Sequence, residues 1–281
     1  MKALVRRMER VVALTIAGSD SGGGAGIQAD LKTFAAHGVY GTCAIAAVTA
    51  QNSVAVTAIH PVPPAVLTEQ VRAVWDDFRP RAVKIGMLGG PDAVRAVADE
   101  LARCNGAERA VPVVLDPVMV AKAGARLLDA DALDALRSLA QRCATLVTPN
   151  VPEAEALLGR ALDDGPEAAA RALRALLGCD VLLKGGHAVD AGDRCVDHLA
   201  TAAGVRAFDG PRISSRNLHG TGCTLSSAIA AGLALGWPLE DAVARAKRYV
   251  VGAIASGAAL GRGVGVLDHM WPLRPVPKLE E

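Results

Sequence analysis

Asn217-Leu218-His219-Gly220-Thr221-Gly222-Cys223-Thr224 runs straight into Leu225-Ser226-Ser227-Ala228-Ile229-Ala230-Ala231-Gly232-Leu233-Ala234-Leu235, and this junction decides the fold. Two glycines one residue apart make a turn. The small apolar residues after it suit a helix from Leu225 to Leu235, in spite of Gly232. The first turn of a helix leaves backbone N–H groups without intrahelical acceptors and carries partial positive charge. With no Cβ at Gly220 and Gly222, an anion can approach that backbone closely, so the segment reads as an anion cradle. A thiol, Cys223, stands where it would touch whatever anion is held there.

Outward from this junction, short β-rich apolar runs alternate with helical patterns. Val11–Ala17, Thr42–Val48, Val54–Ile59, Ala82–Ile85, Val111–Leu115, Leu146–Thr148 and Val181–Leu183 read as strands. Between them, Ile27–His37, Pro64–Phe78, Asp92–Cys104, Asp131–Cys143, Glu153–Leu158 and Glu167–Leu177 read as helices. Cys195–Ala202 and Val205–Phe208 suit an antiparallel hairpin, and Leu239–Leu260 a last long helix. Continuous apolar strands alternating with helices imply an α/β fold, a mostly parallel central sheet with helices on both faces. No internal repeat or long linker divides the chain, so the expectation is a single domain over 1–281 with its core at about 11–269. The first ten residues and the Pro-rich tail from Pro272 are expected to be flexible.

Composition narrows the function classes. The chain has 281 residues, 51% of them hydrophobic but only 3% aromatic, so the core is built mainly from Ala, Val and Leu. Thirty basic residues against 29 acidic ones, with no basic stripe, argue against nucleic-acid partners. No apolar run reaches the length of a membrane span, and no secretory signal follows MKALVRRMER. Six scattered cysteines without a CxxC pair favour free thiols in a reducing cytoplasm. Cys43, Cys104, Cys143, Cys179 and Cys195 read as small packing residues.

In parallel sheets, ligands collect at the carboxyl ends of the strands. Gly18-Ser19-Asp20, Gly86-Met87, Asp116, Asn150 and Lys184-Gly185-Gly186-His187 all fall at such ends. The loop Gly18–Gly26 only loosely matches a dinucleotide fingerprint and lacks a Walker lysine. It suits a backbone that closes over a small ligand, or simply a flexible turn. Asp30 and Gln51 together suit a ring bearing an amino group and a hydroxyl. A carboxamide donates and accepts side by side, which matches an exocyclic amine next to a ring nitrogen. Spacing alone favours a solvated helix Asp and a loop Gln. Asn150 and Glu153 start a helix, where they would also serve as plain N-terminal stabilisers. Asp116 suits the organisation of magnesium and its waters, or a strand end; Lys184 suits a phosphate, or a turn. His219 and His187 read as supporting residues.

Taken in order, AGSDSGGGAGIQADLKTF (17–34), VTAQNS (48–53), KIGML (84–88), LDPVMVAKAG (115–124), TPNVPEAEALL (148–158), LLKGGH (182–187) and NLHGTGCTLSSAIAA (217–231) resemble the ribokinase-like superfamily. Within it they resemble the hydroxymethylpyrimidine and phosphomethylpyrimidine kinases of thiamine biosynthesis. The resemblance implies a ribokinase-like three-layer α/β/α sandwich that uses ATP and Mg2+ to phosphorylate an aminopyrimidine alcohol and then its monophosphate. It places Gly18, Asp30, Gln51, Met87 and Val118 around the pyrimidine. It puts Asp116, Asn150, Glu153 and Lys184 at the nucleotide, with Asp116 and Glu153 reaching magnesium through water. Gly220, Thr221 and Gly222 become the anion hole, and Cys223, its pKa lowered by the helix terminus, the base. A cytoplasmic homodimer is implied, with the edge strand Val54–Ile59 in the interface and Ala121-Lys122-Ala123-Gly124 as a flap. Two other readings share the scaffold: a pyridoxal, pyridoxine or pyridoxamine kinase, disfavoured by Gln51 with Met87, and a non-catalytic binding protein, disfavoured by the full phosphoryl-transfer set.

Overall fold

The computed structural model describes residues 10–106, 110–119, 130–186 and 192–274. The flap at 121–124, His187, the first nine residues and the tail beyond 274 lie outside it. Nine strands make one sheet among the described residues: β1 (Val12–Asp20), β2 (Tyr40–Gln51), β3 (Val56–Pro61), β4 (Val83–Ile85), β5 (Val113–Leu115), β6 (Leu146–Val147), β7 (Asp180–Leu183), β8 (Arg194–Thr201) and β9 (Gly204–Pro211). Their order is β3-β2-β1-β4-β5-β6-β7-β8-β9. The six central strands are parallel; β3 on one edge and the hairpin β8–β9 on the other are antiparallel.

Strand side chains alternate between faces, and the two hydrophobic clusters follow that alternation. Leu14, Ile16, Val113, Leu115, Val181 and Leu183 point to one face. That face is covered by α2 (Pro64–Phe78), α3 (Pro91–Cys104), α4 (Ala130–Cys143), α5 (Val151–Leu158) and α6 (Pro166–Leu177). Ala13, Val114, Leu182 and Leu199 point to the other, covered by α1 (Gly26–Ala36), α7 (Thr221–Ala234) and α8 (Leu239–Ala255). The result is the expected three-layer sandwich.

Several boundaries differ from the sequence expectation where a local contact overrides the pattern. β1 continues to Asp20 and β2 to Gln51, because Ser19 and Asp20 pair with Val48 and Thr49. Both polar ends are therefore held in sheet rather than in loops. Helix α7 starts at Thr221, not Leu225, because Gly220 at φ 84 is its N-cap. Gly222 and Cys223 thus lie inside the first turn. Helix α8 stops at Ala255; Gly257, just beyond, packs so closely on Asn217 that a Cβ would lie 2.8 Å from the Asn217 Cβ.

Candidate active site

Two glycine turns from opposite ends of the chain interlock at the carboxyl ends of the strands. A Cβ on Gly220 would lie 1.8 Å from the carbonyl oxygen of Gly24, and one on Gly24 would lie 2.5 Å from the His219 ring. Only glycine permits that approach. The contact sets the N-terminus of α7 beside the N-terminus of α1, with Cys223 between them. The Gly26 N–H at the start of α1 faces the Cys223 thiol and pulls its pKa down. On α7, the first-turn N–H groups of Gly222 and Cys223 have no residue four back within the helix to accept from them.

Cys223 does not behave as the helix terminus alone suggests. Burial pushes the thiol up to about 11, and Asp30 and Asp116 add to the rise, against the downward pull of Lys84 and the Gly26 N–H. The expected lowering is therefore reversed: desolvation outweighs the helix terminus, and burial holds the thiol neutral.

A cleft of about 1140 Å³ runs across these turns. At one end stand Gly18, Gln51, Met87, Val118 and His219; in the middle Cys223, Asp116, Asn150, Glu153 and Lys184; at the far end Asp197, Arg212, Lys247 and Val250. Gly18 lets Met87 lean over the sheet, since a Cβ there would lie 2.4 Å from the Met87 methyl. The middle is electrostatically dense. Lys184 Nζ lies 2.7 Å from Asp116 Oδ1 and 3.8 Å from Glu153 Oε2. Thr148 donates to Asp116 Oδ1 at 3.2 Å. Burial opposes the charge on Lys184, yet Asp116 and Glu153 hold its pKa above the usual value. Burial raises Glu153 to about 7, with Lys184 pulling the other way and Asp116 pushing up. Asn150 and Glu153 also form a full capping box for α5, at 2.8 and 2.9 Å, so their helix-capping role and their place in the cleft coexist.

Asp30 is a correction. It is fully buried under the cleft rather than lining it. It accepts from Thr15 at 2.6 Å, Lys84 at 2.9 Å and Ser227 at 2.7 Å, so both oxygens are engaged by the scaffold and cannot read a substrate. Lys84, its fully buried partner, was the available signal: a cation between Val83 and Ile85 in an apolar strand needs an anion nearby. Asp20, His219 and Lys247 also carry more than the sequence suggested. Asp20 accepts from the N–H groups of Gly22, Gly24 and Ala25 at 2.8, 3.1 and 2.9 Å, which folds the glycine loop around one carboxylate. Lys247 pairs with Asp197 at 2.6 Å, and Asp197 in turn accepts from the Gly185 N–H at 2.8 Å.

Among the described residues, no group of three His, Cys, Asp or Glu side chains could hold a metal on its own, and no helix is long and apolar enough to cross a membrane.

A family model described as phosphomethylpyrimidine kinase matches residues 20–268. The chain is 46% identical over 260 residues to a hydroxymethylpyrimidine/phosphomethylpyrimidine kinase of Haemophilus influenzae, covering 91% of this chain and 95% of that one. It is 50% identical over 259 residues to the thiamine biosynthesis bifunctional protein ThiED of Geobacter sulfurreducens; that match covers 92% of this chain but only 52% of the longer protein. Among solved structures, an ADP complex of Bacillus subtilis pyridoxal kinase superposes with a TM-score of 0.85 at 34% identity, covering 94% of this chain and 99% of that one.

Proposed function

The chain belongs to the phosphomethylpyrimidine kinase family, and from that membership we propose that it phosphorylates 4-amino-5-hydroxymethyl-2-methylpyrimidine with ATP, first to the monophosphate and then to the diphosphate used for thiamine diphosphate. The observation that carries this reading is a single cleft in which Cys223 and the α7 N-terminus meet the Lys184–Asp116–Glu153 cluster, with Gln51 and Met87 as the neighbouring wall.

In this reading the ring lies against Gly18, Gln51, Met87 and Val118, with its hydroxymethyl group toward Cys223. The alcohol oxygen forms a bond to the terminal phosphorus of ATP as the bond to the ADP oxygen breaks, and the alcohol proton passes to the Cys223 thiolate. Phosphoryl transfer asks the protein mainly to align the two oxygens and to stabilise spread negative charge. The N–H groups at the start of α7 and the Lys184 ammonium supply that stabilisation. The Asn150 N–H, donating to Glu153 Oε2 at 2.8 Å, keeps the Glu153 carboxylate facing the same space. Asp116 and Glu153 flank Lys184 but do not form a full cage, which suits a magnesium ion held through water and the nucleotide; bound there, it would neutralise phosphate charge. Because the resting thiol is neutral, thiolate must form within the complex. The Gly26 N–H and Lys84 are the groups that favour it.

A pyridoxal kinase is the second reading, supported by the shared scaffold. The carboxamide of Gln51 favours the aminopyrimidine. The same proposal carries a cytoplasmic location, in keeping with six unpaired cysteines, and a homodimer using the β3 edge, where Val48 and Ile59 are exposed.

The test is ATP consumption with hydroxymethylpyrimidine, its monophosphate and pyridoxal, each product identified by mass. We expect one and then a second phosphate on the pyrimidine. Phosphorylation of pyridoxal alone would overturn the reading in favour of its rival.

A further inference from the structure

His219 joins two parts of the cleft that are far apart in sequence. Its Nε2 lies 2.8 Å from Asp20 Oδ2 and 3.2 Å from the Gln51 carboxamide. Asp20 settles which of these atoms donates. Burial opposes its charge, but His219 and the N–H groups of Ala25 and Gly22 keep its carboxyl below the ordinary value. It is an acceptor only, so Nε2 of His219 carries the proton.

That assignment fixes Gln51. With the Gln51 amide nitrogen toward His219, two N–H donors would face each other across 3.2 Å. On its other side, Thr49 has one hydroxyl proton, which it gives to the Ser19 carbonyl at 2.9 Å. A Gln51 oxygen at 3.3 Å would receive only the weaker share of that proton. Exchanging the oxygen and nitrogen of the Gln51 amide removes the facing donors and makes the Thr49 hydroxyl an acceptor. The single Nε2 proton of His219 is then shared, chiefly with Asp20 Oδ2 at 2.8 Å and more weakly with Gln51 Oε1 at 3.2 Å, and Gln51 Nε2 donates to the Thr49 hydroxyl.

The geometry points to His219 as a specificity-determining positioning residue, which locks the Gln51 amide so that its remaining acceptor and remaining donor face the cleft in one order. This rests on the aminopyrimidine reading above. The exocyclic amine of the substrate would donate to Gln51 Oε1 and the adjacent ring nitrogen would accept from Gln51 Nε2, the pairing by which a carboxamide reads adenine. A 4-oxo pyrimidine presents the reverse order, an acceptor at the exocyclic position and a ring N–H beside it. Asp20 extends the lock to the glycine loop, since the same carboxylate holds the N–H groups of Gly22, Gly24 and Ala25.

The test compares 4-amino- and 4-oxo-5-hydroxymethylpyrimidine as substrates of the full-length enzyme, in the wild type and in His219→Leu, His219→Gln and Thr49→Val. A matched bidentate pair corresponds to roughly 10- to 100-fold preference for the amino compound. His219→Leu should cut that preference about tenfold, through KM far more than kcat. His219→Gln, which can still donate an N–H, should recover most of it. Thr49→Val, which removes the acceptor on the other side, should lower the preference in the same direction, and it keeps the test alive if His219→Leu fails to fold. An unchanged preference in the folded His219→Leu and Thr49→Val enzymes, with the amino compound still turned over, overturns the role of His219 alone. Turnover of neither pyrimidine overturns the underlying activity as well.

Discussion

Two lysine–aspartate pairs flank Cys223, and they are built alike but finished differently. Lys84 and Asp30 meet at 2.9 Å with neither side chain exposed. Asp30 is closed off by Thr15 and Ser227, so the pair is sealed into the scaffold. Lys184 and Asp116 meet at 2.7 Å, but Lys184 keeps 12% of its side chain open to the cleft and shares a second carboxylate, Glu153. A buried charge whose partners are all protein belongs to the framework. A buried charge that faces open space with donors to spare is arranged for something that arrives later. Cys223 feels both pairs: Lys84 lowers its pKa, and Asp30 and Asp116 raise it.

The contrast can be broken at five points. Cys223→Ala, between the pairs, should cut turnover by about two to four decades with folding intact. In the wild type, kcat/KM should climb as pH rises from 7 to 9, because the thiol sits near 11 and only the thiolate accepts a proton. A rate independent of pH, or a near-normal alanine variant, would remove the thiol from the chemistry. Lys84→Met should cost about 3–5 kcal/mol of stability by leaving Asp30 buried and unpaired, and Asp30→Leu in the same chain should restore most of it. Denaturant midpoints measure both; a Lys84→Met protein as stable as the wild type contradicts the sealed pair. Lys184→Met should do the opposite, losing about two to three decades of turnover with a smaller change in midpoint than Lys84→Met.

The remaining two effects are smaller. Gln51→Leu should weaken the pyrimidine by about 1–3 kcal/mol, the cost of burying unpaired ring groups, and leave ATP unchanged by calorimetry. Glu153 sharpens the open side of the comparison. The folded chain keeps its proton up to about pH 7, well above the value in an unfolded chain, so the fold binds a proton that the unfolded chain releases. Ionisation above pH 7 therefore costs stability. Glu153→Gln should raise Tm at pH 8 by a few degrees, roughly 2–4 °C per kcal/mol gained, and leave Tm at pH 4 nearly unchanged. A lower Tm at pH 8 would mean that the carboxylate stabilises the resting enzyme.

Much of this is legible in the order of residues alone. The glycine turn at 220–222, the strand ends bearing Asp116, Asn150 and Lys184, and the alternation that builds the sheet all follow local rules of chain geometry. What escapes is polar satisfaction at a distance. Asp30 reads as a pyrimidine-pocket residue or a solvated helix residue, and neither holds, because its partners, Thr15, Lys84 and Ser227, come from three separate segments. The rise in the Cys223 pKa escapes for the same reason: the helix terminus is written in adjacent residues, whereas its desolvation comes from the whole fold around it. The continuation of β1 to Asp20 depends on pairing with β2, which no single strand encodes.

The interlocked turns at Gly24 and Gly220 bear on how the protein is made. One half of the candidate site leaves the ribosome early and the other late, so the pair of turns cannot close until nearly the whole chain has been made. A chain ending before α7 would carry all nine strands, yet one face of the sheet would lack α7 and α8 and the glycine loop would have nothing to close against.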